Sequence, residues 1–225
     1  MKTYIFAASL LLCAASLTAQ TPATATASQT TTASSTRVAQ THTSPLGYSY
    51  TLPLDWEVVD TKPMAPVVHQ KLEDSASSTE EKKGAECVQI DLLARSGNPP
   101  SIIEVVALPY DCFGQKFADD DLPGFASGIT SGIAKSFTLK EPVYGAYKLG
   151  PHNVWIMRSS GSLIAHPEFT RTLEASCTLL KKGAVCWVSL AADEAALQTF
   201  ERGSVVLEGD TYEALVPANA LQKKP

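Results

Sequence analysis

The alternation of apolar and polar positions divides the chain into three stretches. Tyr4 to Leu17 is an almost unbroken apolar run. Thr21–Ser28 and Thr30–Thr36 hold small and polar residues with no charge and no large apolar group. From about Leu46 structured patterns begin. Tyr48–Leu52 alternates and reads as a strand, Pro53-Leu54-Asp55 turns it, and Trp56–Val59 starts a second strand. Over Pro63–Lys83, Met64, Val68, Leu72 and Ala76 recur at four-residue spacing, which predicts a helix that Lys82-Lys83-Gly84 stops. Its Ser75–Thr79 stretch is poor in helix formers.

Cys87–Ala94 reads as a strand with Val88, Ile90, Leu92 and Ala94 on one face. Ile102–Leu108 is its antiparallel partner, joined through Ser96-Gly97-Asn98-Pro99-Pro100. A second helix is expected from Pro123 to Phe137. Asp121 and Pro123 mark its start, and Phe125, Ile129, Ile133 and Phe137 form its buried stripe. Val143–Leu149 and Val154–Ser160 are the next strands. Leu173–Leu180 and Ala184–Leu190 form a hairpin around Lys181-Lys182-Gly183. A last helix begins near Asp193 and places Ala196, Leu197, Phe200, Gly203, Ser204 and Leu207 on one face. The order is strand-strand-helix twice, then four strands and a helix. Short connections and hairpins make the sheet mostly antiparallel, and amphipathic helices must cover it, so the class is α+β. One domain is expected over residues 46–208, with a tail at 209–225.

The apolar start is an address. Met1-Lys2-Thr3 is a short basic beginning, the apolar run follows, and Thr18-Ala19-Gln20 is small and polar, the pattern of a secretory signal peptide cut after Ala19. The run is about 14 residues, short of the roughly 20 that span a bilayer, and Leu12-Cys13 lacks the small residue that a lipid-modified cysteine needs before it. No later segment is long and apolar enough to span, so no transmembrane helix is expected after cleavage. Residues 20–45 cannot bury enough to offset their ordering entropy and read as a disordered tether. The expected location is secreted or periplasmic.

The 225 residues carry 18 basic against 23 acidic side chains, a net charge of −5. With the signal removed, 17 basic and 23 acidic side chains remain, a net of −6. That balance argues against nucleic acid as a partner, which calls for a basic field. Four of the five cysteines remain after cleavage, an even count that reads as disulfides in an exported chain. The first hairpin centres near residue 98, which brings Cys87 opposite positions 110–112 and so towards Cys112. The second turns at 181–183, which sets Cys177 opposite Cys186. Each bridge closes a loop of about 10–26 residues, worth roughly 2.5–4 kcal/mol in the chain-entropy account. Two buried free thiols are the other reading for Cys177 and Cys186, which share faces with Leu179 and Val188. No paired Cys-x2-Cys knuckle or histidine spacing marks a zinc site.

No residue set forms a catalytic motif. Gly124-Phe125-Ala126-Ser127-Gly128 puts its serine one place late for a nucleophile elbow, and no metalloprotease, phosphate-loop or dinucleotide signature is present. His42 falls in the tether, His69 on the first helix, and His152 and His166 at turns beside prolines. Asp119-Asp120-Asp121 lacks the alternate spacing of a calcium loop and reads as acidic residues favoured by a helix N-terminus. Gly124, Gly128 and Gly132 lie at four-residue spacing and suggest a close helix-to-sheet approach, with a helix-helix contact as the alternative. Trp56, Trp155 and Trp187 fall in strands as core anchors, with a stacking platform as the alternative. No catalytic residue, cofactor or metal is expected.

The segment Gly47-Tyr48-Ser49-Tyr50-Thr51-Leu52-Pro53-Leu54-Asp55-Trp56-Glu57-Val58 resembles the start of the PsbP-like superfamily, which also holds the Mog-type Ran-binding import factor and bacterial exported proteins. Cys186-Trp187-Val188-Ser189-Leu190, running into an Ala/Asp/Glu-rich helix with Phe200, is similar as well. The resemblance spans roughly 46–208. It implies an antiparallel sheet sandwiched between helices (a PsbP/Mog-like α/β/α sandwich) and a binding or assembly role rather than an enzyme. The cysteine pairs are no part of that pattern, and no functional residue carries over from it. The expected function is an exported, non-catalytic module for an unknown protein or envelope component. Two alternatives stand: a secreted hydrolase with a dispersed site, and a small-ligand carrier with a tryptophan-lined pocket.

Overall fold

The computed structural model describes residues 39–63, 65–76 and 78–221. The expected signal peptide at 1–19 and residues 20–38 of the expected tether lie outside them.

Strands form where β-branched and apolar residues concentrate. β5 (Ser101–Pro109) and β10 (Gly183–Ala191) are buried along almost their whole length, as central strands covered on both faces must be. They pair antiparallel, with Trp187 opposite Val105. Beyond β5 come β4 (Gln89–Ser96) and the short β3 (Glu57–Val58). Beyond β10 come β9 (Thr170–Leu179) and the long β8 (His152–Leu163). The outer edge of β8 is shared by β6 (Phe137–Leu139) and β7 (Val143–Leu149), which follow one another along it. A second, four-stranded sheet runs in the order β1 (Thr41–Thr43), β2 (Tyr48–Thr51), β11 (Val205–Leu207), β12 (Asp210–Tyr212). All strand pairings are antiparallel.

The large sheet has an apolar layer on each face. On one face α1 (Ala65–Ser75), α2 (Thr79–Glu86) and α4 (Leu122–Ile133) bring Val68, Leu72, Ala85, Phe125, Ile129 and Ile133 against Val106, Ala175, Cys177 and Val188. On the other, the small sheet and α5 (Glu194–Glu201) lay Tyr48, Tyr50, Leu197 and Phe200 over Ile103, Ile156 and Trp187. The class is therefore α+β, a mostly antiparallel sheet flanked by helices. The second face is shared between a helix and a further sheet, which the sequence pattern did not reveal.

Several local expectations change. The helix expected over 63–83 is two helices, and Ser78 starts the second by accepting a hydrogen bond from Glu81 N at 3.1 Å. A serine hydroxyl offered to a free N–H is a strong helix start, and α2 then continues through Gly84 to Glu86. Val88, Ile90, Leu92 and Ala94 do not share a face. A bulge between Ile90 and Leu92 inserts Asp91, so Val88 and Ile90 meet the helices while Leu92 and Ala94 meet the small sheet. One extra residue inverts everything after it because the strand period is two.

The last helix stops at Glu201. Tyr50 donates its hydroxyl to Phe200 O at 3.0 Å, and the Tyr50 ring fills the space a Cβ on Gly203 would need. The chain leaves the helix there, and Val205–Leu207 pairs with β2 instead. The folded region also exceeds its expected limits. β1 precedes residue 46, so His42 lies in a strand rather than in a tether. Leu215, Val216 and Ala220 are buried beyond 208, so much of the expected tail belongs to the core.

Candidate functional site

Both cysteine pairs stand at bonding distance. Cys177 and Cys186 are directly opposite in the β9–β10 ladder, with Cα atoms 4.1 Å apart and sulfurs at 2.07 Å. Both are buried under the helix layer. Cys87 and Cys112 also meet, with sulfurs at 2.03 Å, but not across a ladder as expected. Cys87 caps the C-terminus of α2. Cys112 lies in α3 (Tyr110–Phe113), the short helix that follows β5.

The described histidines have different roles. His69 Nε2 lies 2.9 Å from Val88 O and ties α1 to the strand behind it. His152 Nδ1 is 3.3 Å from Leu179 O, and His166 Nδ1 is 3.2 Å from Glu168. His42 is the informative one. Its Nε2 lies 3.5 Å from Asp91 Oδ2, the residue that the bulge inserts. Tyr48 donates its hydroxyl to the same oxygen at 2.6 Å, and the Ser44 side chain lies beside the carboxylate. Burial alone would raise the Asp91 pKa, but the surrounding polar groups of His42, Ser44 and Tyr48 outweigh it and hold the carboxyl below its ordinary value. Serine, histidine and aspartate thus come together, but around the carboxylate. A hydrolytic relay needs the histidine between the serine and the acid. Here Asp91 is a hub that anchors the small sheet to β4.

A second polar group lies under α5. Arg158 on β8 donates Nε to Glu174 Oε2 on β9 at 2.7 Å, and its Nη2 contacts both Glu174 and Glu201 of α5. Glu174 is fully buried. Burial pushes its pKa up to about 7, Arg158 opposes the rise, and Glu201 adds to it. One guanidinium bridges two carboxyls on different elements, so the group clasps α5 to the sheet. Tyr147 closes the adjoining end by donating to Leu215 O at 2.8 Å. On the helix face, Glu104 sits opposite Leu93 and Val188. Burial pushes its pKa up to about 8, so it holds its proton at neutral pH.

The remaining candidates are structural. Asp119–Asp121 form a 3-10 turn leading into α4. Asp121 accepts from Ala118 N at 2.8 Å and Asp119 accepts from Asn153 Nδ2 at 2.5 Å. Gly128 and Gly132 are buried on α4, whereas a Cβ on Gly124 would meet open space. The tryptophans do not line a common pocket. Trp56 and Trp187 pack on the small-sheet side, and Trp155 packs against the helix-side core. No group of three or more metal-ligating side chains occurs among the described residues. No described helix is long and apolar enough to cross a membrane.

The surface feature that stands out is β7. It pairs with β8 along seven residues and has no other strand partner among the described residues. Val143 and Tyr144 are 55% and 48% exposed, and Tyr144 leans on Trp155 with ring centroids 6.3 Å apart. Edge strands are normally shortened or charged to prevent pairing. β3, at the other edge, is two residues long. β7 is seven residues long and carries a single charge, Lys148. Sequence reasoning found the strand but not its position, because edge or centre is decided by pairing.

No protein-family model matches the chain. No curated protein matches it either. Among solved structures, it is similar to cyanobacterial PsbP from Synechocystis sp. PCC 6803 with a TM-score of 0.42 and 14% identity, over 75% of this chain and 89% of that one. A similarity of that size fixes neither family nor function, and the α+β class rests on the layers themselves.

Proposed function

We propose that the chain is an exported, non-catalytic binding or assembly module that takes an extended segment of a partner along β7. The observation that carries this reading is a seven-residue edge strand with no second strand partner among the described residues and with Val143 and Tyr144 exposed. An added strand gains main-chain hydrogen bonds along such an edge, and alternate side chains supply selectivity. The carboxylate-centred arrangement at Asp91 supports a binding role over hydrolysis, and the separation of Trp155 from Trp56 and Trp187 speaks against a tryptophan-lined carrier. The basic start and apolar run at the N-terminus, together with two cysteine pairs at bonding distance, support export to an oxidising compartment. The Gly47–Val58 segment supports a PsbP/Mog-like relationship.

The test is a photo-cross-linking side chain placed at Ala146 in the protein exported from its native host, with Lys62 near the opposite edge as control. A cross-linked species of discrete mass at 146 and none at 62 is expected. Equal labelling at both positions, or none at 146, overturns the reading.

A further inference from the structure

We infer that the extended segment seated on β7 is the same strand of a second copy of this chain, related by a two-fold axis normal to the large sheet. The inference rests on the edge-binding reading above. A two-fold pairing is closed and self-limiting, because the same surface serves on both sides.

The strand's own sequence selects the register. Directly opposed residues of an antiparallel pair point to the same side of the sheet. With the axis normal to the sheet, the two copies also keep the same side up. Each position must therefore meet one of its own face. With Ala146 on the axis, all seven residues from Val143 to Leu149 pair. Moving the axis to Gly145 leaves Lys148 and Leu149 outside the strand pairing, and moving it to Tyr147 leaves out Val143 and Tyr144.

The Ala146-centred register is also the complementary one. Lys148, the only charge in the strand, falls opposite the exposed Tyr144 ring of the other copy on the helix side. A lysine beside an aromatic ring is favourable, whereas an axis at Lys148 would set two ammonium groups against each other. On the opposite side the exposed Val143 falls opposite the buried Leu149, and Gly145, which lies against Ala220 O of its own chain, falls opposite Tyr147, whose hydroxyl is held by Leu215 O. Beyond the strand, Glu141 falls beside Pro151, so no acid faces an acid. The two large sheets become continuous, with both sets of helices in one layer. Seven residues a side form a small seam next to the ~1,200–2,000 Å² of stable interfaces, so the dimer is concentration-dependent.

The test is sedimentation velocity on the exported protein across roughly 1–500 µM. The weight-average mass should rise from that of one chain towards that of two. Tyr144→Lys sets a second ammonium group against Lys148 of the other copy, twice per dimer, and should weaken association by about tenfold or more. Lys148→Glu added to it makes both contacts opposite in sign and should restore the dimer, which also shows that the chain remains folded. A monomer at every concentration overturns the inference, as does a dimer indifferent to Tyr144→Lys or a double variant that stays monomeric. If a different polypeptide is cross-linked at Ala146, the edge-binding reading survives and the second copy fails. If nothing is cross-linked there and the chain stays monomeric, both fail.

Discussion

Glu104 and Glu174 show how a single buried carboxyl sets the response to pH. Each has a folded pKa above the ordinary 4.5, about 8 for Glu104 and about 7 for Glu174, with burial the leading cause. The folded chain therefore binds more protons than the unfolded one between pH 4.5 and about 8. The stability these groups contribute is complete below pH 4.5 and is lost as pH rises through 7 and 8. For Glu104 the swing is on the order of 5 kcal/mol. Glu104→Gln keeps the shape without the titration. Urea denaturation at pH 5, 7 and 9 should show the variant gaining on the wild type as pH rises. A difference that stays constant with pH would place the charge elsewhere. The sequence shows a glutamate in a strand at position 104 but not its burial. Its neighbours Leu93 and Val188 lie on other strands, and only the ladder brings them to it.

At the scale of elements, the bulge at Asp91 matters most. It turns β4 from one core to the other and turns a carboxylate towards β1 and β2. Asp91→Ala would leave the Tyr48 hydroxyl, 1% exposed as a residue, without its acceptor. The expected cost is about 1–3 kcal/mol. Amide exchange should quicken first in β1 and β2, while β5 and β10 keep their protection. Uniform loss across both sheets would mean that Asp91 is not the local anchor. The alternation of Val88, Ile90, Leu92 and Ala94 suggested one continuous face, because an inserted residue leaves no local mark when apolar residues continue beyond it. The break between α1 and α2 was partly legible. The Ser75–Thr79 stretch is poor in helix formers, yet the four-residue spacing predicted one helix through it, and the Ser78 cap accounts for the break.

Across the whole molecule, the cysteine pairs close two loops of different reach. Cys177–Cys186 spans a hairpin, and Cys87–Cys112 joins α2 to α3 across 25 positions. Peptide mass spectrometry of the protein from its native host, before and after reduction, should find both bridges and, on the export reading, a mature start near Gln20. Free thiols or an uncleaved start would undo the export reading. Reduction should cost roughly 2.5–4 kcal/mol per bridge.

The sequence by itself determined which segments are strands and helices over most of the chain. It also determined the antiparallel hairpins, the facing of Cys177 and Cys186, and the α+β class. Those properties follow from local periodicity and short turns, which are complete within a dozen residues. Tertiary structure alone decided that residues 41–51 and 205–212, at opposite ends of the chain, pair into a second sheet. It also decided that His42 meets Asp91, that Arg158 joins Glu174 to Glu201, and that β7 is an edge. Each of these rests on contacts between residues far apart in sequence, and no local pattern encodes which distant strand or side chain will fill a given place.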